Sequence, residues 1–324
     1  MGTVVLGTGS YLPKRILTNA EIESIVDTND EWIRSRTGIE ARHISGKGEQ
    51  TYQISAEAAR RALDASGITA EEIGLLVVGT ISSHMLMPSC ACFVQKEIGA
   101  VNAFAYDLNA ACSGFLYGMD IADQYIRNNL EMKILVIGAE TLSGRLNWED
   151  RNTCILFGDG AGAAVFGHDA GDRGIIGSNM ASDGRLWELL HMHTSPSTNP
   201  DLVVENNNGA YIRMEGREVF KYAVKAMDEA VRGLLLKEKL SVDEVDFVIP
   251  HQANTRILNK LIDRLQVPRS KVFMNVSKYG NTSAASIPIA LDEANREGCM
   301  KQGDIVLFCA FGGGFTWGAT LINW

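Results

Sequence analysis

Short apolar runs alternate along this chain with stretches in which apolar residues recur every three or four positions. Leu75-Leu-Val-Val-Gly79, Ile134-Leu-Val-Ile137, Phe247-Val-Ile249 and Ile305-Val-Leu-Phe308 are continuous apolar runs bounded by glycines or polar residues. Runs of that length and make-up read as strands buried on both faces. Between them lie helical patterns. Glu57-Ala-Ala-Arg-Arg-Ala-Leu63 is one, and Ile257, Leu258, Leu261, Ile262 and Leu265 mark another at helical spacing. Strand–helix alternation predicts an α/β fold. Gly158-Asp-Gly-Ala-Gly162 has neither P-loop nor dinucleotide spacing and predicts a tight turn feeding a strand at Ala163–Phe166. Asn206-Asn-Asn-Gly209 predicts a turn or loop rather than a linker.

The pattern repeats. Glu57–Leu63 resembles Glu229–Leu235, Ile68-Thr-Ala-Glu-Glu-Ile73 resembles Leu240-Ser-Val-Asp-Glu-Val245, and the strand at Ile134 matches the one at Val306, each displaced by 172 residues. One displacement shared by three segments predicts two similar halves, 1–172 and 173–324, with the same strand–helix order. No Pro-, Gly- or Ser-rich linker separates them, so they are expected to pack into one body.

Composition narrows the class. The 324 residues are 46% hydrophobic and 21% charged, ordinary globular usage with ample apolar material for a large core. The formal net charge of −9 argues against a protein that works mainly on nucleic acid. No basic stretch precedes an apolar run at the start, and no apolar run approaches the ~20 residues that span a bilayer. A cytoplasmic protein is expected. Six cysteines are too sparse for a disulfide scaffold. His84, Cys90 and Cys92 lack the second ligand pair of a metal site, so none is expected.

Candidate chemistry begins at Asp107-Leu-Asn-Ala-Ala-Cys-Ser-Gly-Phe115. A strand-like run, Asn102–Tyr106, precedes it, and a helical pattern through Phe115, Met119, Ala122 and Ile126 follows. Cys112 therefore falls where a strand gives way to a helix. Free N–H groups and the helix dipole there favour a thiolate. Lowering a thiol from about 8.5 to about 7 takes about 2 kcal/mol. A helix terminus supplies typically ~0.3–1 and at most about 2 kcal/mol, so a second helper is expected. Position alone does not separate such a nucleophile from a small buried structural cysteine. The candidate helper is His251, in Val248-Ile-Pro-His-Gln-Ala-Asn254, directly after a buried strand where functional groups of α/β proteins gather. Asn281, in Tyr279-Gly-Asn-Thr-Ser-Ala-Ala285, is the third candidate. The displacement of 172 puts Ala284 opposite Cys112, so the two helix starts are equivalent and could face each other. The glycines of Phe311-Gly-Gly-Gly-Phe-Thr-Trp-Gly318 would bring bare N–H groups close to a ligand, as an oxyanion hole needs.

At Asn109–Phe115, His251–Asn254, Tyr279–Ala285 and Gly312–Gly318, with Asp30–Ile39 and Gly216–Phe220, the chain resembles the thiolase-fold condensing enzymes, in particular the β-ketoacyl-acyl carrier protein synthase III family, from Thr3 to Trp324. The resemblance implies a duplicated βαβαβαββ core in α-β-α-β-α layers. It implies a catalytic triad of Cys112, His251 and Asn281, and an oxyanion hole from the N–H groups of Cys112 and Gly313. Acyl-CoA, first of all acetyl-CoA, would acylate Cys112. Malonyl-acyl carrier protein would then lose CO2 and condense with the acyl group to give a 3-oxoacyl product, initiating type II fatty acid synthesis. No metal or redox cofactor is implied; the CoA thioester is a substrate. Trp32, Arg36, Thr37 and Arg151 would hold the nucleotide end of CoA. Arg256, Lys260 and Arg264 recur every four residues, as do Arg217, Lys221 and Lys225. Spacing alone fits a solvated helix face equally well, and the resemblance singles out Arg256 and Lys221 for the acidic carrier protein. Met87, on a loop given by the partner of a homodimer, and Leu142 would line the primer pocket, with Met87 admitting branched or longer primers. The rivals are a secondary-metabolism ketosynthase with another primer or acceptor, a type III polyketide synthase or hydroxymethylglutaryl-CoA synthase, and a non-catalytic carrier-protein-binding module.

Overall fold

A computed structural model describes residues 2–194 and 210–324. The strands are β1 (Gly2–Tyr11), β2 (Arg15–Thr18), β3 (Ala41–Ile44), β4 (Ile73–Gly79), β5 (Phe104–Leu108), β6 (Lys133–Glu140), β7 (Gly160–Asp169), β8 (Gly174–Ser182), β9 (Leu190–Met192), β10 (Ile212–Met214), β11 (Phe247–Pro250), β12 (Ile305–Gly312) and β13 (Thr316–Asn323). The α-helices are α1 (Asn19–Ile22), α2 (Asp30–Thr37), α3 (Thr51–Ser66), α4 (Cys90–Ile98), α5 (Gly114–Asn128), α6 (Arg151–Cys154), α7 (Gly216–Glu238), α8 (Thr255–Leu265), α9 (Val276–Tyr279) and α10 (Ser286–Arg296).

Two sheets carry the architecture. The first has the order β1-β7-β6-β4-β5, with β6, β4 and β5 parallel and β7 antiparallel to both its neighbours. The second has the order β11-β12-β13-β8, with β11 and β12 parallel. Side-chain alternation explains why both faces are apolar. Leu75, Val77, Ile134 and Val136 turn inward onto α5 and α10, which also meet Ile249, Phe308 and Ala310 of the second sheet. Leu76, Val78, Leu135 and Ile137 turn outward beneath α3 and α4. Val248, Leu307, Cys309 and Leu321 turn outward beneath α7 and α8. The result is five layers, α-β-α-β-α, with α5 and α10 in the middle, buried along most of their length and exposed only towards their C-terminal ends. Each large apolar side chain buried in that central layer contributes roughly 1.5–3 kcal/mol.

The 172-residue displacement persists in fine detail. β6 and β12 span equivalent residues, α5 and α10 start at equivalent residues, and one-turn 3-10 helices at Ala111–Ser113 and Ser283–Ala285 are equivalent. Ala111 and Ser283 even share a left-handed backbone, with φ of 45° and 50°, a strained conformation for non-glycine residues. The register breaks after β6 and β12. Nineteen residues, 141–159, separate β6 from β7, whereas three, 313–315, separate β12 from β13.

Two expectations shift. The strand forecast at Asn102–Tyr106 lies two residues further on, as β5, because Asn102 is an exposed turn residue whose side chain bonds the Glu71 carbonyl. β7 starts at Gly160 rather than Ala163, because the glycines let α10 press on it; a Cβ on Gly162 would lie 2.6 Å from the Ile289 nitrogen. The loop forecast at Asn206–Gly209 lies outside the described residues.

Candidate active site

Cys112 sits in the one-turn helix between β5 and α5, buried at 8% exposure. The loop after β12 packs directly on it: a Cβ on Gly312 would lie 2.6 Å from the Cys112 nitrogen, so only glycine fits there. Thr316 Oγ1 donates to the Ala110 carbonyl at 2.8 Å, and Ser113 Oγ donates to the Thr316 carbonyl at 3.1 Å, stitching the two segments together.

His251 follows β11. Its backbone N–H donates to the Cys309 carbonyl at 2.8 Å, and its Nδ1 lies 2.6 Å from Ser286 Oγ at the start of α10. Gln252 locks this turn to the next segment. Its Nε2 donates to the Pro250 carbonyl at 2.8 Å, and its Oε1 accepts the Asn275 N–H at 3.0 Å. Asn281 is held from both sides of its backbone, its N–H on the Leu156 carbonyl at 2.8 Å and its carbonyl on the Gly158 N–H at 3.0 Å. Its Oδ1 accepts the Ser283 N–H at 2.8 Å. With the oxygen so engaged, the amide NH2 is what the side chain can offer.

Two cavities meet at Cys112. One, of about 520 Å³, is lined by Cys112, His251, Asn281 and Phe157 and continues to Trp32, Arg36, Thr37, Phe220 and Arg256. The other, of about 700 Å³, is lined by Cys112, Leu142, Leu190, Met192, Ile212 and Gly313 among others. The first gives the nucleophile a route to the surface, and the second gives it a side chamber.

The expectation of a thiolate is not met. Burial pushes the Cys112 thiol up to about 12, and the nearby Glu140 adds to this; the Ser283 hydroxyl opposes it more weakly. That rise from the ordinary value of 9.0 amounts to about 4 kcal/mol, beyond what a helix terminus returns. Burial likewise drives the His251 imidazole down to about 3, so it is neutral near pH 7. The resting pair is a thiol and a neutral imidazole.

Most of the forecast residues gather here. Trp32 is flanked by the guanidinium groups of Arg36, 5.7 Å from its ring centroid, and Arg151, 4.8 Å away. Thr37 lines the wall, but its hydroxyl donates to the Ile33 carbonyl at 2.7 Å and accepts the Ile39 N–H at 3.0 Å. Its hydrogen is therefore committed to the chain. Arg256 lies over the Phe220 ring at 5.6 Å, at the mouth. Lys221 is exposed, pairs with Glu218 at 2.7 Å and stands outside the cavity lining. Arg264 is exposed, but its guanidinium pairs with the buried Asp228 at 3.1 Å. Leu142 and Gly313 line the side chamber, whereas Met87 is 85% exposed and outside its own chain's chamber. Among the described residues, no group of three or more His, Cys, Asp or Glu is arranged to hold a metal ion, and no helix is long and apolar enough to cross a membrane.

Three neighbours carried no sequence signal of function. Ser286 and Ser283 read as small helix-start residues. Glu140 ends an apolar strand run and is fully buried. Its Oε2 accepts from Ser82 Oγ at 2.5 Å, the Ile81 N–H at 3.2 Å and Thr80 Oγ1 at 3.3 Å. Burial holds this carboxyl up at about 7. A charged residue closing a buried strand was the only available hint.

Duplicated layers, with a cysteine at one helix start and His251 and Asn281 on the other half, define a condensing enzyme of the thiolase fold. Residues 106–184 match the family model described as 3-oxoacyl-[acyl-carrier-protein] synthase III, and residues 235–324 match the model of its C-terminal part. The chain is 57% identical to the β-ketoacyl-[acyl-carrier-protein] synthase III of Desulfotalea psychrophila, each covered fully by the other. The 3-oxoacyl-[acyl-carrier-protein] synthase III structure from Aquifex aeolicus is 48% identical and superposes with a TM-score of 0.93, again over all of both chains. The priming β-ketosynthase of the R1128 polyketide pathway is 36% identical, with a TM-score of 0.92 over 99% of this chain and 96% of that one. The chain belongs to the 3-oxoacyl-[acyl-carrier-protein] synthase III family of condensing enzymes.

Proposed function

We propose that this chain initiates fatty acid synthesis by a two-stage condensation at Cys112. In the first stage the sulfur attacks the acyl-CoA thioester. The new bond joins Cys112 Sγ to the acyl carbon, the bond to the CoA sulfur breaks, and the proton leaves the thiol only as the sulfur attacks. That proton passes to the sulfur of the departing CoA. The N–H groups of Cys112 and Gly313 would receive the developing oxyanion. In the second stage malonyl-acyl carrier protein occupies the same route. Its thioester oxygen would accept hydrogen bonds from His251 Nε2 and Asn281 Nδ2. The carboxylate leaves as CO2, and the enolate carbon attacks the acyl group and frees Cys112. The reaction as written calls on no metal or redox cofactor.

The observation that carries this reading is the meeting of two cavities at Cys112, one of them also lined by His251 and Asn281. In the same reading Arg36, Arg151 and Trp32 receive the nucleotide of CoA, since guanidinium suits phosphate and the indole suits adenine. Thr37 shapes the wall. Arg256 and Lys221 receive the acidic carrier protein. The exposed Met87 completes the side chamber of a partner subunit in a homodimer, and the protein works in the cytoplasm. The R1128 relative favours one second reading, a priming ketosynthase of secondary metabolism with a different primer.

Mass spectrometry of the Cys112 peptide after incubation with a panel of acyl-CoAs tests both. Acetylation of Cys112 supports the first reading. Acylation only by other primers supports the second. No adduct from any acyl-CoA would leave a carrier-protein-binding module.

A further inference from the structure

Arg42 lies on β3 and is fully buried. Its partners are all neutral. One terminal nitrogen donates to Asn19 Oδ1 at 2.8 Å and to the Leu17 carbonyl at 3.4 Å, and the other donates to the Ile155 carbonyl at 2.6 Å. No carboxylate pairs with it among the described residues. Burying a charge without a counter-ion is costly, and a core that needed only volume there would be served by an apolar residue. What the guanidinium supplies is a rigid fork of donors that reaches several carbonyls at once.

The place of those carbonyls is informative. Ile155 begins the segment that holds Asn281. The next carbonyl, of Leu156, accepts the Asn281 N–H at 2.8 Å, and the Gly158 N–H donates to the Asn281 carbonyl at 3.0 Å. Phe157 and Asn281 form a parallel bridge. The Arg42 Cβ also abuts this pairing: a Cβ on Gly158 would lie 3.0 Å from it and one on Gly280 3.4 Å. On the other side, Asn19 Nδ2 donates to Asp30 Oδ1 and to the Ile39 carbonyl, both at 2.8 Å, tying the fork to the two ends of α2, which carries Trp32 and Arg36.

We infer that Arg42 is a positioning residue for Asn281: by clamping the Ile155 carbonyl it fixes the Leu156–Gly158 backbone that pairs with Asn281, and so sets where the Asn281 amide meets the malonyl thioester. The inference rests on the proposed role of Asn281 in the second stage. It assigns Arg42 to decarboxylation and not to the acylation of Cys112.

Arg42→Met and Arg42→Lys, checked for folding by circular dichroism, are compared in two half-reactions. One is acetyl transfer from acetyl-CoA to Cys112, read by mass. The other is CO2 release when acetylated enzyme meets malonyl-acyl carrier protein. The expected result for Arg42→Met is an about tenfold or greater loss in CO2 release with acetyl transfer within about threefold of the parent, and a smaller loss for Arg42→Lys. In an Asn281→Ala background, Arg42→Met should cause no further loss. Equal losses in both half-reactions, no loss in CO2 release, or additive losses with Asn281→Ala overturn the inference. If Asn281→Ala by itself leaves CO2 release intact, the assignment of Asn281 fails first and takes this inference with it. Should both Arg42 variants fail to fold, Asn19→Ala, which removes the acceptor of one arm of the fork together with the bonds to Asp30 and the Ile39 carbonyl, is compared with Asp30→Ala, which removes only the first of those two bonds; a loss of CO2 release in Asn19→Ala well beyond that in Asp30→Ala supports the inference, and equal effects overturn it.

Discussion

Ser286→Ala isolates the support of the proposed imidazole donor. Ser286 Oγ lies 2.6 Å from His251 Nδ1, and the pair is buried. The same oxygen accepts the Gln252 N–H at 3.4 Å, so its own hydrogen is available for Nδ1. That arrangement leaves the imidazole hydrogen on Nε2, where the proposed second stage needs a donor. Removing the hydroxyl takes away the side-chain partner of a buried Nδ1. A buried polar group left without its partner costs about 1–3 kcal/mol. If the ring tilts or changes tautomer to recover that loss, the barrier rises by a similar amount, or about 5- to 150-fold in rate. Ser286 is not among the residues lining the cavity that contains His251, so the loss should fall on kcat for CO2 release from malonyl-acyl carrier protein and leave KM within about twofold. Single-turnover CO2 release with acetylated enzyme measures it, beside thermal denaturation to confirm the fold. A kcat within about twofold of the parent, or a raised KM with kcat intact, would refute the reasoning.

Other outcomes follow from the same geometry. Arg36→Ala should raise KM for acyl-CoA about tenfold and lower kcat much less, since a guanidinium–phosphate contact is worth about 1.5–3 kcal/mol; an unchanged KM in steady-state kinetics removes Arg36 from the CoA site. Arg256→Glu should weaken the use of malonyl-acyl carrier protein, most at low salt, while Cys112 acylation by acyl-CoA is spared; equal loss in both assays contradicts the docking role. Glu140 has a folded value of about 7 against 4.5 unfolded, so only the folded chain keeps this proton between those values. Its buried carboxyl is penalised progressively as pH rises through that window, by about 3 kcal/mol in all, and no further above it. The stability of Glu140→Gln relative to the parent should therefore grow from about pH 4.5 to pH 7 and then level off in denaturant titrations; a difference that stays flat across the window shows that the acid is not held protonated.

Layering was legible in sequence because burial dictates it. Strands enclosed on both faces must be apolar at every position, as Leu75–Val78 are, and an enclosed helix shows a broad apolar face, as α5 does. The triad candidates were legible because each sits at an element junction within a distinctive motif. Ser286, Glu140 and Arg42 were not. Their meaning lies in contacts with residues 35, 58 and 113 positions away, and each alone reads as an ordinary serine, glutamate or arginine. The thiolate expectation erred for a related reason. A helix start is visible in sequence, but the extent to which the rest of the chain encloses it is not, and at Cys112 enclosure is the larger effect.

The duplication also explains why the chemistry sits at the seam. Each half brings a strand end and a strained turn to the centre, and the equivalent positions have diverged in pairs. Cys112 corresponds to Ala284 and Glu140 to Gly312 at the displacement of 172 residues, while Asn281 keeps an asparagine, Asn109, as its counterpart. His251 corresponds to Gly79 and Ser286 to Gly114. In the first half Gly79 and Gly114 are in backbone contact so close that a Cβ on Gly79 would lie 2.9 Å from the Gly114 carbonyl carbon. In the second half the equivalent contact is the His251–Ser286 hydrogen bond. Similarly, Gly312 has no side chain and lets the loop after β12 reach the Cys112 nitrogen, whereas Glu140 fills the equivalent place beneath Ser283 with an acid. One backbone scaffold thus serves opposite needs. Where glycine occupies a position, the chain closes onto the nucleophile and exposes its own N–H groups; where a polar side chain occupies its counterpart, the half supplies a proton donor.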